Sequence, residues 1–155
     1  MVRYRNVWSK GSDNNNCLSM VDTLTRPERS ARMSLIRAKN TGPERQIQKI
    51  VSGLSYRYQR HISDLPSKPD FVFPRIKKVV FVNGCFWHGH RCSLGRIPKS
   101  RVGFWTNKID SNRERGVRNR RKLRRMGWKV LVIRECQLFD QAKIKTKLIQ
   151  FLKKS

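Results

Sequence analysis

The sequence predicts a single α/β domain: a central mixed β-sheet flanked by helices, with a structural zinc site. Three observations predict it. Val79-Val-Phe-Val82 is an unbroken apolar run, as a central strand covered on both faces would be. A tight turn joins this run to a short strand before it, and a long helical segment joins it to a strand after it. That gives one antiparallel and one parallel neighbour. Thiols and imidazoles collect where the last two strands would end, at Cys85, His90, Cys92 and Cys136.

Residues 1–24 are polar and uneven, with the run Gly11-Ser-Asp-Asn-Asn-Asn16, and are expected to form a flexible tail. Trp8 and Cys17 lie there without a pattern. Residues 25–155 are expected to be one domain. Thr25-Arg-Pro-Glu28 is a capping-box pattern with proline in the first turn, so a basic helix should run to about Lys39. Thr41-Gly-Pro-Glu44 repeats the pattern. Ile47, Ile50, Val51 and Leu54 then recur at helical spacing, and this second helix should end near Gly53. Tyr56 to Arg60 reads as a short strand and Pro66 to Lys68 as a turn. Asp70–Phe73 and Lys77–Asn83 read as an antiparallel pair. Phe104 to Met126 reads as a long helix with a thin apolar stripe (Ile109, Leu123, Met126) and a dense basic run from Arg113 to Arg125; Gly127 ends it. Trp128 to Ile133 is a further strand, and Gln141 to Leu152 a last amphipathic helix. The expected order is ααβββαβα.

Lys and Arg number 36 against 10 Asp and Glu, a formal charge of +26 in 155 residues. A charge so far above what solubility requires points to a polyanion, because Lys and Arg facing phosphates release counterions. Charge alone does not make the chain an enzyme. No apolar run approaches the ~18 residues of a membrane span, and the N-terminus has no apolar signal-peptide core. A cytoplasmic protein is expected, in which four cysteines suggest metal or buried thiols before disulfides.

Cys85, His90 and Cys92 form C-x4-H-x-C, and Cys136 supplies a fourth ligand from the neighbouring strand end. Four protein ligands leave no open position, so a zinc ion here would be structural. Carboxylates are scarce, which makes each informative. Asp70, at the start of a strand, has two open roles: holding Mg2+ against a phosphate, or serving as a turn residue. His88 is not needed for the zinc set and sits at the same strand end, as a general base, as the holder of a metal-bound water, or as a supporting or surface histidine. Glu44 has two open roles: turning toward Asp70, or capping its own helix. Phe86 and Trp87 follow Gly84 in a polar loop and Trp105 opens the basic helix; base stacking and core packing are both open to them.

The run Phe81-Val-Asn-Gly-Cys-Phe-Trp-His88, with Lys68-Pro-Asp70 upstream, resembles the very-short-patch-repair (Vsr) DNA mismatch endonucleases. So do Arg29-Ser-Ala-Arg-Met-Ser-Leu-Ile-Arg-Ala-Lys-Asn40, Phe104-Trp105, Gly127-Trp-Lys-Val-Leu131 and Arg134-Glu-Cys136. The similarity runs from about residue 21 to near the end, and several separate blocks occur in order. The resemblance implies a restriction-endonuclease-like fold and Mg2+-dependent nicking of one DNA strand, 5′ to the thymine of a T:G mismatch left by deaminated 5-methylcytosine. That nick would initiate very short patch repair. By the same resemblance Asp70 is the principal Mg2+ ligand, helped by the main-chain carbonyl of Val82. His88 is the catalytic histidine, and Glu44 an acidic residue near the metals. Cys85, His90, Cys92 and Cys136 hold structural zinc. Phe86, Trp87 and Trp105 enter the duplex, Met33 wedges from the N-terminal helix, and Lys108 and Asn112 read the mismatch.

The chain departs from the pattern at Val82-Asn83, where some members have Thr before His. A main-chain carbonyl survives that change; a histidine role at position 83 does not. A monomer is expected, acting on nucleoid DNA and paired in function with a cytosine-5 DNA methyltransferase. The rival expectations are a nuclease of the same fold with another DNA target and a non-enzymatic zinc-containing DNA-binding module.

Overall fold

The computed structural model describes residues 39–153, together with Thr25, Pro27, Glu28, Ala31 and Ser34. The expectations for the first 24 residues with Cys17, for Met33, and for most of the first helix lie outside the described residues. At the start of the expected first helix, Thr25 Oγ1 and Thr25 N–H both donate to Glu28 Oε2, and Glu28 N–H returns to Thr25 Oγ1. The capping box is therefore formed.

Helix α1 is Gly42–Ser52, capped by Thr41 and Glu44 in the same reciprocal way, with Pro43 in its first turn. Strand β1 is Phe71–Phe73, β2 is Lys78–Asn83 and β3 is Lys129–Arg134. Helix α2 spans Val102–Arg125 and α3 spans Gln141–Lys153. The sheet order is β1-β2-β3, with β1 and β2 antiparallel and β2 and β3 parallel. The mixed sheet flanked by helices is thus present. A turn of 3-10 helix, Pro74–Ile76, makes the connection between β1 and β2, closed by Lys77 in the left-handed region.

Alternation along the strands divides the core between the two faces. Phe71, Phe73, Val80 and Ile133 face α1 and α3, where they meet Ile47, Val51, Ile144, Leu148 and Leu152. Val72 and Val79 face the other way and meet Leu123 of α2. Fully burying a side chain of this size contributes roughly 1.5–3 kcal/mol, so β2 is anchored from both sides. The buried Lys78 spans the first layer and donates to Leu152 O at 2.9 Å, where the carbonyls of a helix C-terminus favour a cation.

Two expectations need correction. Tyr56 to Arg60 does not form a strand: it pairs with β1 only at Gln59↔Val72. β1 is three residues long, and the chain leaves the extended region at His61 (φ 51°), so no ladder can extend. Met126 is not part of the buried stripe of α2. It sits at the C-cap and is 49% exposed, while Ile109 and Leu123 are buried.

Candidate active site and metal centre

The parallel register carries straight into the first cluster. Asn83 pairs with Arg134, so the residues two further along each chain, Cys85 and Cys136, arrive side by side. Cys136 N–H donates to Cys85 Sγ at 3.4 Å, and Cys85 N–H donates to Glu135 Oε2 at 3.1 Å. The chain beyond Cys85 then coils back through short turns, with His90 N–H on Cys85 O and Cys92 N–H on His90 O. A side chain at Gly95 would put its Cβ 1.9 Å from His90 O, so only glycine lets this loop close. The ligand atoms of Cys85, His90, Cys92 and Cys136 all lie within 4.8 Å of one another.

His90 Nδ1 is 3.8 Å from Cys85 Sγ and 3.4 Å from Cys136 Sγ. Tetrahedral bonds of ordinary zinc–sulfur and zinc–nitrogen length would set such atoms about 3.6 Å apart. The spacing therefore suits a tetrahedral metal ion. Burial pushes the Cys85 thiol up to about 12, against the pull of the Cys136 N–H. A cation here would supply the charge that burial withholds from a thiolate.

The second cluster is Glu44, His61 and Asp70, whose ligand atoms likewise lie within 4.8 Å of one another. The two hydrogen bonds between Gln59 and Val72, each 2.8 Å, fix its register. Two residues outward along each chain, His61 faces Asp70, and His61 N–H donates to Pro69 O. Asp70 Oδ2 accepts Val82 N–H at 2.7 Å, while Oδ1 lies 4.0 Å from His61 Nδ1. His61 Nε2 is 3.4 Å from Glu44 Oε2, which also takes Arg60 Nη2 at 3.2 Å. Burial raises the Asp70 carboxyl to about 7; the Glu44 charge adds to this, and the Val82 N–H and Arg60 oppose it. Burial likewise lowers His61, against the Glu44 charge. A buried carboxyl that releases its proton only near neutrality is a place where a divalent cation competes well.

His88 belongs to neither cluster. It is half-buried, and burial first, then Arg120 and Arg115 of α2, hold its ring neutral. Phe86 and Trp87 follow Cys85 and meet Trp105 at the start of α2, at ring separations of 5.1 and 6.2 Å. Phe104, itself half exposed, stacks edge-on to Trp105, with the Arg101 guanidinium 4.8 Å from its ring centre. Asn112 Nδ2 donates to Trp87 O at 3.2 Å, tying this loop to α2. Lys108 is exposed on the same helix. Arg113, Arg115, Arg118, Arg121, Arg124 and Arg125 are exposed along it, so the basic run forms a solvent-facing surface.

The four expected thiol and imidazole residues thus come together, as do Glu44 and Asp70, while Val82 meets Asp70 through its N–H. Both roles left open for Glu44 are realised: Oε1 accepts from Thr41 Oγ1, while Oε2 faces His61. Two residues escaped the sequence reading. In the sequence Phe104 stands out only as part of the Phe104-Trp105 motif. His61 was passed over, although pairing the supposed strand 56–60 against Asp70–Phe73 would have set it opposite Asp70.

The family model of the DNA mismatch endonuclease Vsr matches residues 21–94. A type II nicking enzyme, V.XorIIP of Xanthomonas oryzae pv. oryzae, is 41% identical over 133 residues, covering 86% of this chain and 98% of the relative. Another, V.NmeAIP of Neisseria meningitidis serogroup A, is 42% identical over 79% of this chain and 88% of its own length. The DNA mismatch endonuclease Vsr of Escherichia coli is 35% identical over 81% of this chain and 80% of its own.

Proposed function

This chain belongs to the Vsr family of DNA mismatch endonucleases, and on that premise we propose that it nicks one strand of duplex DNA on the 5′ side of the thymine of a T:G mismatch. The observation that carries this reading is the placing of aromatic rings beside a carboxyl site. Val82, whose N–H holds Asp70, is only four residues from Phe86. A fully extended chain of that length spans at most about 14 Å, so the Phe86–Trp87–Trp105 cluster and Asp70 address the same stretch of duplex.

A T:G pair stacks poorly. Opening it for an aromatic wedge costs less than opening a matched pair, and that difference is a source of selectivity. The arginines of α2 grip phosphates without reading sequence. Lys108 is exposed toward solvent and available to a base edge, whereas Asn112 steadies the wedge loop through the Trp87 carbonyl. Asp70 and the carbonyl of Val82 would hold Mg2+, which when bound polarises the scissile phosphate and stabilises the leaving oxygen. The ring of His88, whose pKa burial and the charges of Arg120 and Arg115 lower, takes the proton of the attacking water, and those arginines favour the resulting phosphate charge. The products are a 3′-hydroxyl and a 5′-phosphate. The Cys85–His90–Cys92–Cys136 set would hold zinc as a closed four-ligand site, which would keep Phe86, Trp87 and His88 in place without entering the reaction. A monomer suffices, and a cytosine-5 methyltransferase is the natural functional partner.

A second reading, a nuclease of this fold with another DNA target, is favoured by one observation: five relatives carry the name nicking enzyme, which states a reaction and no target. Nicking of T:G and T:A duplexes of the same sequence, with Mg2+ or with EDTA, separates the readings. The expected result is a nick in the T:G duplex alone and only with Mg2+. Equal nicking of both would overturn the mismatch target, and binding without nicking would overturn the enzyme.

A further inference from the structure

Glu44 has no acceptor position to spare. Its Oε1 accepts from Thr41 Oγ1 at 2.9 Å and from Thr41 N–H at 3.4 Å. Its Oε2 accepts Asn40 N–H at 3.0 Å and Arg60 Nη2 at 3.2 Å, with His61 Nε2 at 3.4 Å. A carboxylate offers about four acceptor positions, so these donors leave none for a cation. His61 is differently placed. One ring nitrogen looks toward Glu44, and the other, Nδ1, looks toward Asp70 Oδ1.

We propose that His61 is a side-chain ligand of the divalent cation held at Asp70, coordinating through Nδ1 while Nε2–H donates to Glu44. Glu44 is then a positioning residue for the ring and does not touch the cation. The inference rests on the reading of Asp70 as the metal-holding residue and deepens it. Metal-bound histidines almost always give their second N–H to a carboxylate or carbonyl, which fixes the ring and its tautomer. The main chain supports the placement as well: His61 is held at φ 51°, a region costly for a side chain, by its own N–H on Pro69 O.

Arg60 Nη2 lies 3.3 Å from His61 Nε2 and can only donate, which favours the opposite tautomer, with the proton on Nδ1 toward Asp70. Arg60 already has acceptors in Gln48 Oε1 and Glu44 Oε2. A cation at Asp70 excludes a proton from Nδ1, so cation binding selects the ligating tautomer. One nitrogen donor added to oxygen ligands raises affinity for Mn2+ or Co2+ more than for Mg2+. Mn2+ should therefore support nicking at lower concentration than Mg2+.

The test uses the full chain with its zinc content verified, so that His90 is already engaged, and Mn2+ as the probe in the absence of DNA. Pulsed electron paramagnetic resonance should show imidazole nitrogen coupled to the bound Mn2+. His61→Asn, which tolerates a left-handed backbone, should abolish that coupling and weaken Mn2+ binding by about tenfold or more, with a smaller loss for Mg2+. His61→Gln provides a second variant with the same expectation, and Glu44→Gln should keep the coupling. Mn2+ binding that is lost in Asp70→Asn yet shows no nitrogen coupling, or is unmoved in both His61 variants, would overturn the ligand role and leave the Asp70 reading standing. Mn2+ binding unchanged in Asp70→Asn would overturn both.

Discussion

Cys85, His90, Cys92 and Cys136 come from one loop and one strand end, while Glu44, His61 and Asp70 come from a helix, a connection and the start of a strand. Both groups gather their ligand atoms within the same 4.8 Å. The first is complete in itself: four soft donors satisfy a tetrahedral ion and leave nothing for substrate. The second is incomplete. Its carboxyl is buried and costly to charge, one of its oxygens already takes the Val82 N–H, and Glu44 is committed to its own helix cap. A closed set of thiols fixes a shape, whereas an open set of oxygens and one imidazole keeps room for a phosphate.

The largest effect that would sharpen this contrast is on turnover. Asp70→Asn should lower Mg2+-dependent nicking of T:G duplex by several kcal/mol of transition-state stabilisation, on the order of a thousandfold. Duplex affinity and zinc content should stay near wild type. Retained nicking would remove Asp70 from the open site. Cys136→Ser should do the reverse to the metal inventory. Zinc content by atomic absorption should fall, and stability to urea should drop by roughly 3–5 kcal/mol, because binding free energy of a structural metal is folding free energy. Unchanged stability with the zinc gone would break the claim that the thiol set holds the fold.

A third, smaller effect separates the clusters by pH. With no Mg2+ or Mn2+ added, between about pH 4 and 7, the folded chain keeps an Asp70 proton that the unfolded chain has lost, since the carboxyl is raised from 3.8 to about 7. Stability should therefore fall as pH rises through that window, by at most roughly 4–5 kcal/mol, and level off above it. Asp70→Asn should remove that slope and be the more stable protein at neutral pH without metal. An identical slope in the variant would contradict the buried, charge-averse carboxyl. The smallest effect concerns Phe104. Truncation to alanine should cost about 1 kcal/mol in binding to mismatched duplex, seen by titration at fixed salt, with both metal sites unaffected.

Much of the fold was legible from local chemistry. Thr41 and Glu44 announce their helix through a capping box that depends only on neighbours in sequence. Val79 to Val82 announces a strand buried on both faces through its unbroken apolar run. Met126 misled because helical spacing continues to it, although the chain is already turning at the C-cap and nothing covers its side chain. Tyr56 to Arg60 misled because strand-like composition cannot create a partner, and the three residues of β1 offer only one bridge.

By itself the sequence determined a strongly basic chain suited to a polyanion, the order of the described elements apart from that strand, and the four thiol and imidazole residues that cluster. Charge, periodicity and thiol chemistry are properties that residues carry with them. The tertiary structure alone decided how Cys136 meets Cys85: the parallel register sets its N–H 3.4 Å from the Cys85 sulfur, across 51 residues of sequence. It also decided that Glu44 spends one oxygen on its cap and turns the other to His61, and that His61 faces Asp70. Those are relations between distant segments, fixed by strand register and by a left-handed turn, and no local pattern encodes them.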